Sequence, residues 1–173
     1  MKKFLFVVAA LATSLTASAQ LWVGGSLGFA TESVKEGDPT NHWLFEPTVG
    51  YALNDNLELG LALLIEGSKH GDDKTTYFGI APFARYTFLS AGDFSLFGQA
   101  TIPYLNTKVG DNSTSMFGVK IQPGVKYALT DQFSMFALLG NGLYFNSYSD
   151  GNTKSSFGFD ITTGLSLGLV YSF

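Results

Sequence analysis

The sequence contains no cysteine, and only 14% of its residues are charged. Without cysteine there is no disulfide, no thiolate nucleophile or metal ligand, and no lipid-anchoring residue behind a leader. The charged fraction falls well below the quarter or so typical of soluble domains. Acidic residues outnumber basic ones, 14 to 10, so the basic stripe expected of a nucleic-acid binder is missing. Beyond the first 20 residues no apolar run approaches the roughly 20 residues that a transmembrane helix needs. In place of these the chain is rich in glycine (20) and phenylalanine (16).

The N-terminus reads as a secretory signal peptide over residues 1–19. Lys2 and Lys3 precede an apolar run from Phe4 to Ala12, and Ala17-Ser18-Ala19 is an Ala-x-Ala cleavage site. The expected mature chain, 20–173, is about one domain. It keeps eight basic against 14 acidic residues, a net charge of −6. If that chain enters a membrane it must do so as a closed barrel, the remaining way to satisfy every backbone group in lipid.

An internal repeat counts the strands. Val49-Gly50-Tyr51-Ala52-Leu53, Ala84-Arg85-Tyr86-Thr87-Phe88, Val125-Lys126-Tyr127-Ala128-Leu129 and Leu169-Val170-Tyr171-Ser172-Phe173 share one form. In the first three, a proline (Pro47, Pro82, Pro123) stands four residues before the tyrosine, and a tight polar turn follows. The prolines are unexpected in a ladder, because proline removes a donor; bulges would accommodate them. The intervals between tyrosines each hold a strand, a polar stretch (Ser68 to Lys74, Val109 to Ser115, Ser149 to Lys154) and a returning strand. With Leu21 to Thr31 and Trp43 to Leu53, joined by Glu32 to His42, four hairpins make eight strands.

Alternation separates two faces along these strands. Phe157, Phe159, Ile161, Thr163, Leu165, Leu167, Leu169, Tyr171 and Phe173 oppose Gly158, Asp160, Thr162, Gly164, Ser166, Gly168, Val170 and Ser172. Leu57 to Ile65 alternates likewise, with Leu64 the exception, and the strands from Phe94 and Phe133 are less tidy. A soluble barrel would carry abundant Lys, Glu, Thr and Asn outside. Here the second face is Gly, Ala and Ser with isolated charges, which suits the cramped lumen of eight strands. Strands of about 11 residues, rising ~3.3 Å each and tilted ~45°, cover about 25 Å of lipid. The predicted fold is therefore all-β, an eight-stranded antiparallel up-and-down transmembrane β-barrel.

Two groups of side chains follow. Tyr51, Tyr86, Tyr127 and Tyr171 fall at one end of the even-numbered strands, a periplasmic aromatic girdle. Glu46, Glu58, Glu66, Arg85, Gln99, Lys120, Gln122, Lys126 and Asp160 face inward as a lumen polar network. Charges in a narrow lumen must pair or meet water. A salt-bridged plug is preferred over an ion path because eight strands leave little bore. His42 and His70 fall in or beside exterior loops, where no nucleophile and acid are shown to converge with them. Asn112-Ser113-Thr114 matches a glycosylation acceptor, without meaning in a bacterial export context. The scattered loop carboxylates lack the spacing of a calcium loop. No catalytic residue, metal site or cofactor is expected.

The last eight residues, Ser166 to Phe173, resemble the C-terminal targeting strand of bacterial outer-membrane barrels: a polar residue, Gly168, an aromatic at Tyr171 and the terminal Phe173. Residues 21–173 resemble the small outer-membrane β-barrel family of the OmpA/OmpX kind. That resemblance implies a Gram-negative cell-envelope location, contact with outer-membrane lipid and lipopolysaccharide, and insertion by the barrel-assembly machinery, which would read Ser166, Gly168, Tyr171 and Phe173. The expected role is non-enzymatic, with a closed lumen, serving envelope integrity or surface interaction through the exterior loops. The alternatives are a narrow ion or small-solute channel and a soluble periplasmic ligand-binding barrel.

Overall fold

The computed structural model describes residues 21–32, 40–70, 73–109, 112–150, 152–161 and 165–173; the expected signal peptide lies outside them. The elements are β1 (Leu21–Glu32), β2 (Thr40–Ala52), β3 (Leu57–His70), β4 (Asp73–Ala91), β5 (Phe94–Thr101), β6 (Tyr104–Val109), β7 (Asn112–Ala128), β8 (Phe133–Leu139), β9 (Gly142–Asp150), β10 (Asn152–Asp160) and β11 (Leu165–Ser172). They build eight staves, because β5 with β6, β8 with β9 and β10 with β11 are each one stave interrupted midway. All pairings are antiparallel, and β11 pairs with β1 from Trp22↔Ser172 to Leu27↔Leu167, which closes the ring.

Alternation sets the faces as the sequence predicts. On β3, Leu59 and Leu61 are exposed outside, whereas Ala62 and Leu64 are buried within. Leu64 thus belongs to the lumen. The same holds for Phe97 and Phe136, which point inward and account for the uneven patterns of their strands. A soluble molecule would not leave so continuous an apolar surface uncovered.

The polar stretches between strands turn out to be largely strand. β3 runs to His70 and β4 starts at Asp73, β6 and β7 are separated by two residues, and β9 and β10 by one. The backbone groups of these Ser- and Thr-rich segments remain paired in the ladder, and β-branched threonine suits it. At the opposite end the turns are tight. Asn54 Oδ1 accepts from the amides of Asn56 and Leu57 (both 2.9 Å), and Thr130 Oγ1 from Phe133 (3.0 Å). Gly92 takes a positive φ of 60° in the two-residue loop between Ala91 and Phe94, as a hairpin turn of this kind requires.

The three repeat prolines fall where a ladder lapses. The β2–β3 register passes from Phe45↔Ile65 to Thr48↔Ala62, skipping Pro47. The β4–β5 ladder ends at Phe83↔Thr101 and β4–β6 pairing resumes at Ile80↔Tyr104, so Pro82 lies at the β5/β6 break, where its carbonyl accepts from Ile102 N at 2.9 Å. β7 changes partner between Ile121↔Leu143 and Gly124↔Leu138, leaving Pro123 opposite the β8/β9 break. A residue without an N–H costs least where no bond was due.

Candidate functional site in the lumen

Four large aromatic side chains point inward near the short-turn end: Trp22 from β1, Phe83 from β4, Phe97 from β5 and Phe136 from β8. Each lies over a glycine that is its direct partner across the ladder, in the pairs Trp22↔Gly50, Phe83↔Gly60, Phe97↔Gly124 and Phe136↔Gly168. A Cβ at any of these glycines would stand far inside contact distance of the facing ring. The glycines thus make room for rings lying flat against the wall, an arrangement that also covers backbone left bare by the missing side chain.

Within this ring of aromatics sits the guanidinium of Arg85, 2% exposed. Its Cζ lies 4.6 Å from the Phe97 ring centroid, 4.8 Å from Phe136, 5.5 Å from Trp22 and 5.6 Å from Phe83. A delocalised, weakly hydrated cation accepts such surroundings better than an ammonium does. Glu58, its partner across the β3–β4 ladder, supplies the countercharge: Arg85 Nη1 meets Glu58 Oε2 at 3.3 Å, and Lys126 Nζ meets Glu58 Oε1 at 3.1 Å. Gln99 Oε1 accepts from Arg85 Nη2 (2.9 Å) and Nε (3.2 Å), and Gln99 Nε2 donates to Thr101 Oγ1 at 3.2 Å. Arg85, Glu58, Gln99 and Lys126 therefore form one connected group, positioned by β3, β4, β5 and β7.

Above Arg85, toward the end opposite the Asn54, Gly92 and Thr130 turns, lies a cavity of ≈ 50 Å³ lined by residues that include Ser26, Glu46, Thr48, Lys120 and Gln122. Glu46 Oε2 accepts from Ser26 Oγ at 2.7 Å. Gln122 Nε2 donates to the Gly140 carbonyl at 2.6 Å, so it holds the β8/β9 break. Asp160 stands opposite Gly142 in the β9–β10 ladder and accepts from Asn141 Nδ2 at 3.4 Å. Glu66 faces inward across from Leu44 and Tyr77 and also has an interaction partner. Glu66 and Asp160 thus lie outside the Arg85 group.

Tyr51 and Tyr127 are exposed on the outer face one residue before the ends of β2 and β7, and Tyr86 is exposed five residues before the end of β4. Tyr171 sits at the same end between Phe133 and Phe173, with ring centroids 4.9 and 5.2 Å away. Ser166 and Gly168 face inward from β11, where Gly168 receives Phe136. His42 and His70 lie within the β2–β3 hairpin, His42 opposite Ser68 and His70 opposite Thr40; their side chains fall outside the described residues. The aromatic ring around Arg85 escaped the sequence reading. Its signal was there: an aromatic placed on the small-residue face, with a glycine at the paired position.

A family model described as the outer membrane protein beta-barrel domain matches residues 4–173. The chain belongs to that family. It is accordingly an outer-membrane transmembrane β-barrel, and the soluble periplasmic alternative is set aside. The structure is similar to that of neisserial surface protein A (TM-score 0.55, 19% identity, 90% of this chain and 98% of that one). It is also similar to the N-terminal β-barrel domain of Pseudomonas aeruginosa OprF (TM-score 0.52, 17% identity, 89% and 98%). At these identities the likeness shows the fold alone. No curated protein matches the sequence.

Proposed function

We propose that this outer-membrane barrel is non-enzymatic and non-conducting, and serves envelope integrity or surface interaction through the ends of its hairpins. The observation that carries this reading is the Arg85 group. A buried guanidinium enclosed by four rings and tied to Glu58 and Gln99 occupies the bore near the short-turn end. Eight staves leave little space around such a plug. In this reading residues 1–19 are removed on export, and Ser166, Gly168, Tyr171 and Phe173 address the chain to the barrel-assembly machinery. Tyr51, Tyr86, Tyr127 and Tyr171 then settle at the periplasmic lipid boundary, while the opposite ends meet lipopolysaccharide. No cofactor or metal takes part.

Planar-bilayer recording on the refolded mature chain tests the closed lumen. Absence of discrete current steps is the expected result; regular unitary steps abolished by mutation of the lumen charges would establish the channel alternative.

A further inference from the structure

Glu46 and Lys120 line the same cavity, yet they come from opposite sides of the barrel. Glu46 is on β2, the second stave, and Lys120 is on β7, the sixth, so three staves lie between them either way around a ring of eight. They form no ion pair with each other. Glu46 is satisfied by a neutral hydroxyl, that of Ser26, and among the described residues Lys120 has no polar partner. Below them the floor is closed by Arg85, Phe83 and Phe136, and the guanidinium is already committed to Glu58 and Gln99. Thr48 is a further lining residue of the same cavity.

A carboxylate and an ammonium held apart in a confined, partly desolvated space each need compensation. Ser26 gives Glu46 one neutral hydrogen bond, but no side chain among the described residues gives either group a countercharge, and a species of a single charge would satisfy one wall while repelling the other. A dipolar species satisfies both. We propose that this cavity is a binding site for a compact zwitterion of the α-amino-acid class, its ammonium on Glu46 and its carboxylate on Lys120. At ≈ 50 Å³ the cavity exceeds the roughly 10–15 Å³ that one water needs, so it admits a small polar solute. Glycine is the smallest member of that class. With the floor sealed by Arg85, entry is from the end opposite the Asn54, Gly92 and Thr130 turns. The inference goes beyond the proposed envelope role and is independent of it, since a blind pocket neither conducts nor catalyses.

The test is glycine titration of the full mature chain refolded in detergent, followed by amide chemical shifts, with acetate and methylammonium as single-charge probes. For so small a ligand the expected affinity is weak, on the order of millimolar. Saturable shifts confined to Glu46, Thr48, Lys120 and Gln122 are expected with glycine, and at least tenfold weaker responses with acetate or methylammonium. E46Q and K120M should each weaken glycine binding about tenfold, the cost of one charge-assisted contact, while their undisturbed spectra elsewhere report an intact barrel. Acetate binding as tightly as glycine would identify an anion site at Lys120 alone and overturn the proposal. So would the absence of saturable shifts, or glycine shifts that persist in K120M. A conducting barrel that still binds glycine would refute the closed-lumen reading and leave this one standing.

Discussion

Trp22 lies flat on Gly50, its direct partner across the β1–β2 ladder. Trp22 is only 3% exposed, so its ring has no room to withdraw. Gly50→Ala should therefore destabilise the barrel by about 1–3 kcal/mol, the usual cost of overpacking a tight interior. Equilibrium urea unfolding in detergent, read by tryptophan fluorescence, measures this. Pairing the change with Trp22→Leu should recover part of the loss relative to the sum of the single changes. Simple additivity would show that the ring and the glycine are not coupled.

The Arg85–Glu58–Lys126 group should respond unequally to removal of its members. Glu58→Leu strands a buried guanidinium and is expected to cost about 3–5 kcal/mol. Arg85→Met leaves Glu58 paired with Lys126 and fills the aromatic enclosure with an apolar chain, so its cost should be clearly smaller. Lys126 is the most exposed of the three, and Lys126→Met should cost no more than about 1 kcal/mol. The same unfolding assay orders them; Arg85→Met proving the worst would mean that Glu58 is not the countercharge on which the plug depends.

Two glycines with positive φ separate strain from crowding. Gly92 (φ 60°) has open space where a Cβ would stand, whereas at Gly142 (φ 61°) a Cβ would collide with the Ile121 carbonyl. Gly92→Ala should cost about 1–2 kcal/mol from backbone conformation alone, and Gly92→Asn less than that. Gly142→Ala adds a backbone clash at the β8/β9 break and should be the more damaging. Equal unfolding midpoints for the two alanine variants would count against that break.

Much of this architecture is legible in sequence because a barrel wall obeys a period of two. The repeat ending in Tyr51, Tyr86, Tyr127 and Tyr171 counts the staves, and the small-residue face identifies the lumen. Inward placement of Glu58, Arg85, Gln99 and Lys126 follows from the same parity. Their mutual contacts do not, because stave register and shear decide which inward residues share a level. That is also why the partners of Trp22, Phe83, Phe97 and Phe136 were hidden: an aromatic–glycine pair joins residues 23 to 32 positions apart. Pro47, Pro82 and Pro123 looked anomalous only while the ladders were assumed unbroken.

Assembly and stability should separate at the C-terminus. Tyr171 packs between Phe133 and Phe173 on the strand that closes the ring, and the terminal aromatic is the residue a targeting signal would present. Deleting Phe173 should lower the heat-modifiable outer-membrane fraction in cells several-fold. Refolding of the same variant into detergent should be nearly unchanged, since the side chain is half exposed. Equal loss in both assays would assign Phe173 a packing role and remove it from the assembly signal.

The outward apolar face makes a depth-dependent prediction that a soluble barrel would not. Leu61 and Leu129 are both exposed on that face, 41% and 52% respectively, but they differ in height. Leu61 pairs with Val49 and Pro82 well inside the wall, while Leu129 begins the short turn after β7 and its amide bonds to the Phe133 carbonyl at 2.8 Å. An arginine at the bilayer midplane costs about 2–4 kcal/mol, falling to about 0–1 near the interface. Leu61→Arg should therefore destabilise the barrel in phospholipid vesicles by about 2–4 kcal/mol, and Leu129→Arg hardly at all. In both variants the new charge replaces an exposed leucine, so lost packing is similar and depth in the hydrocarbon accounts for the difference. Indistinguishable unfolding free energies in vesicles would mean that Leu61 does not face lipid, and the outward assignment of the whole alternating set would have to be reversed.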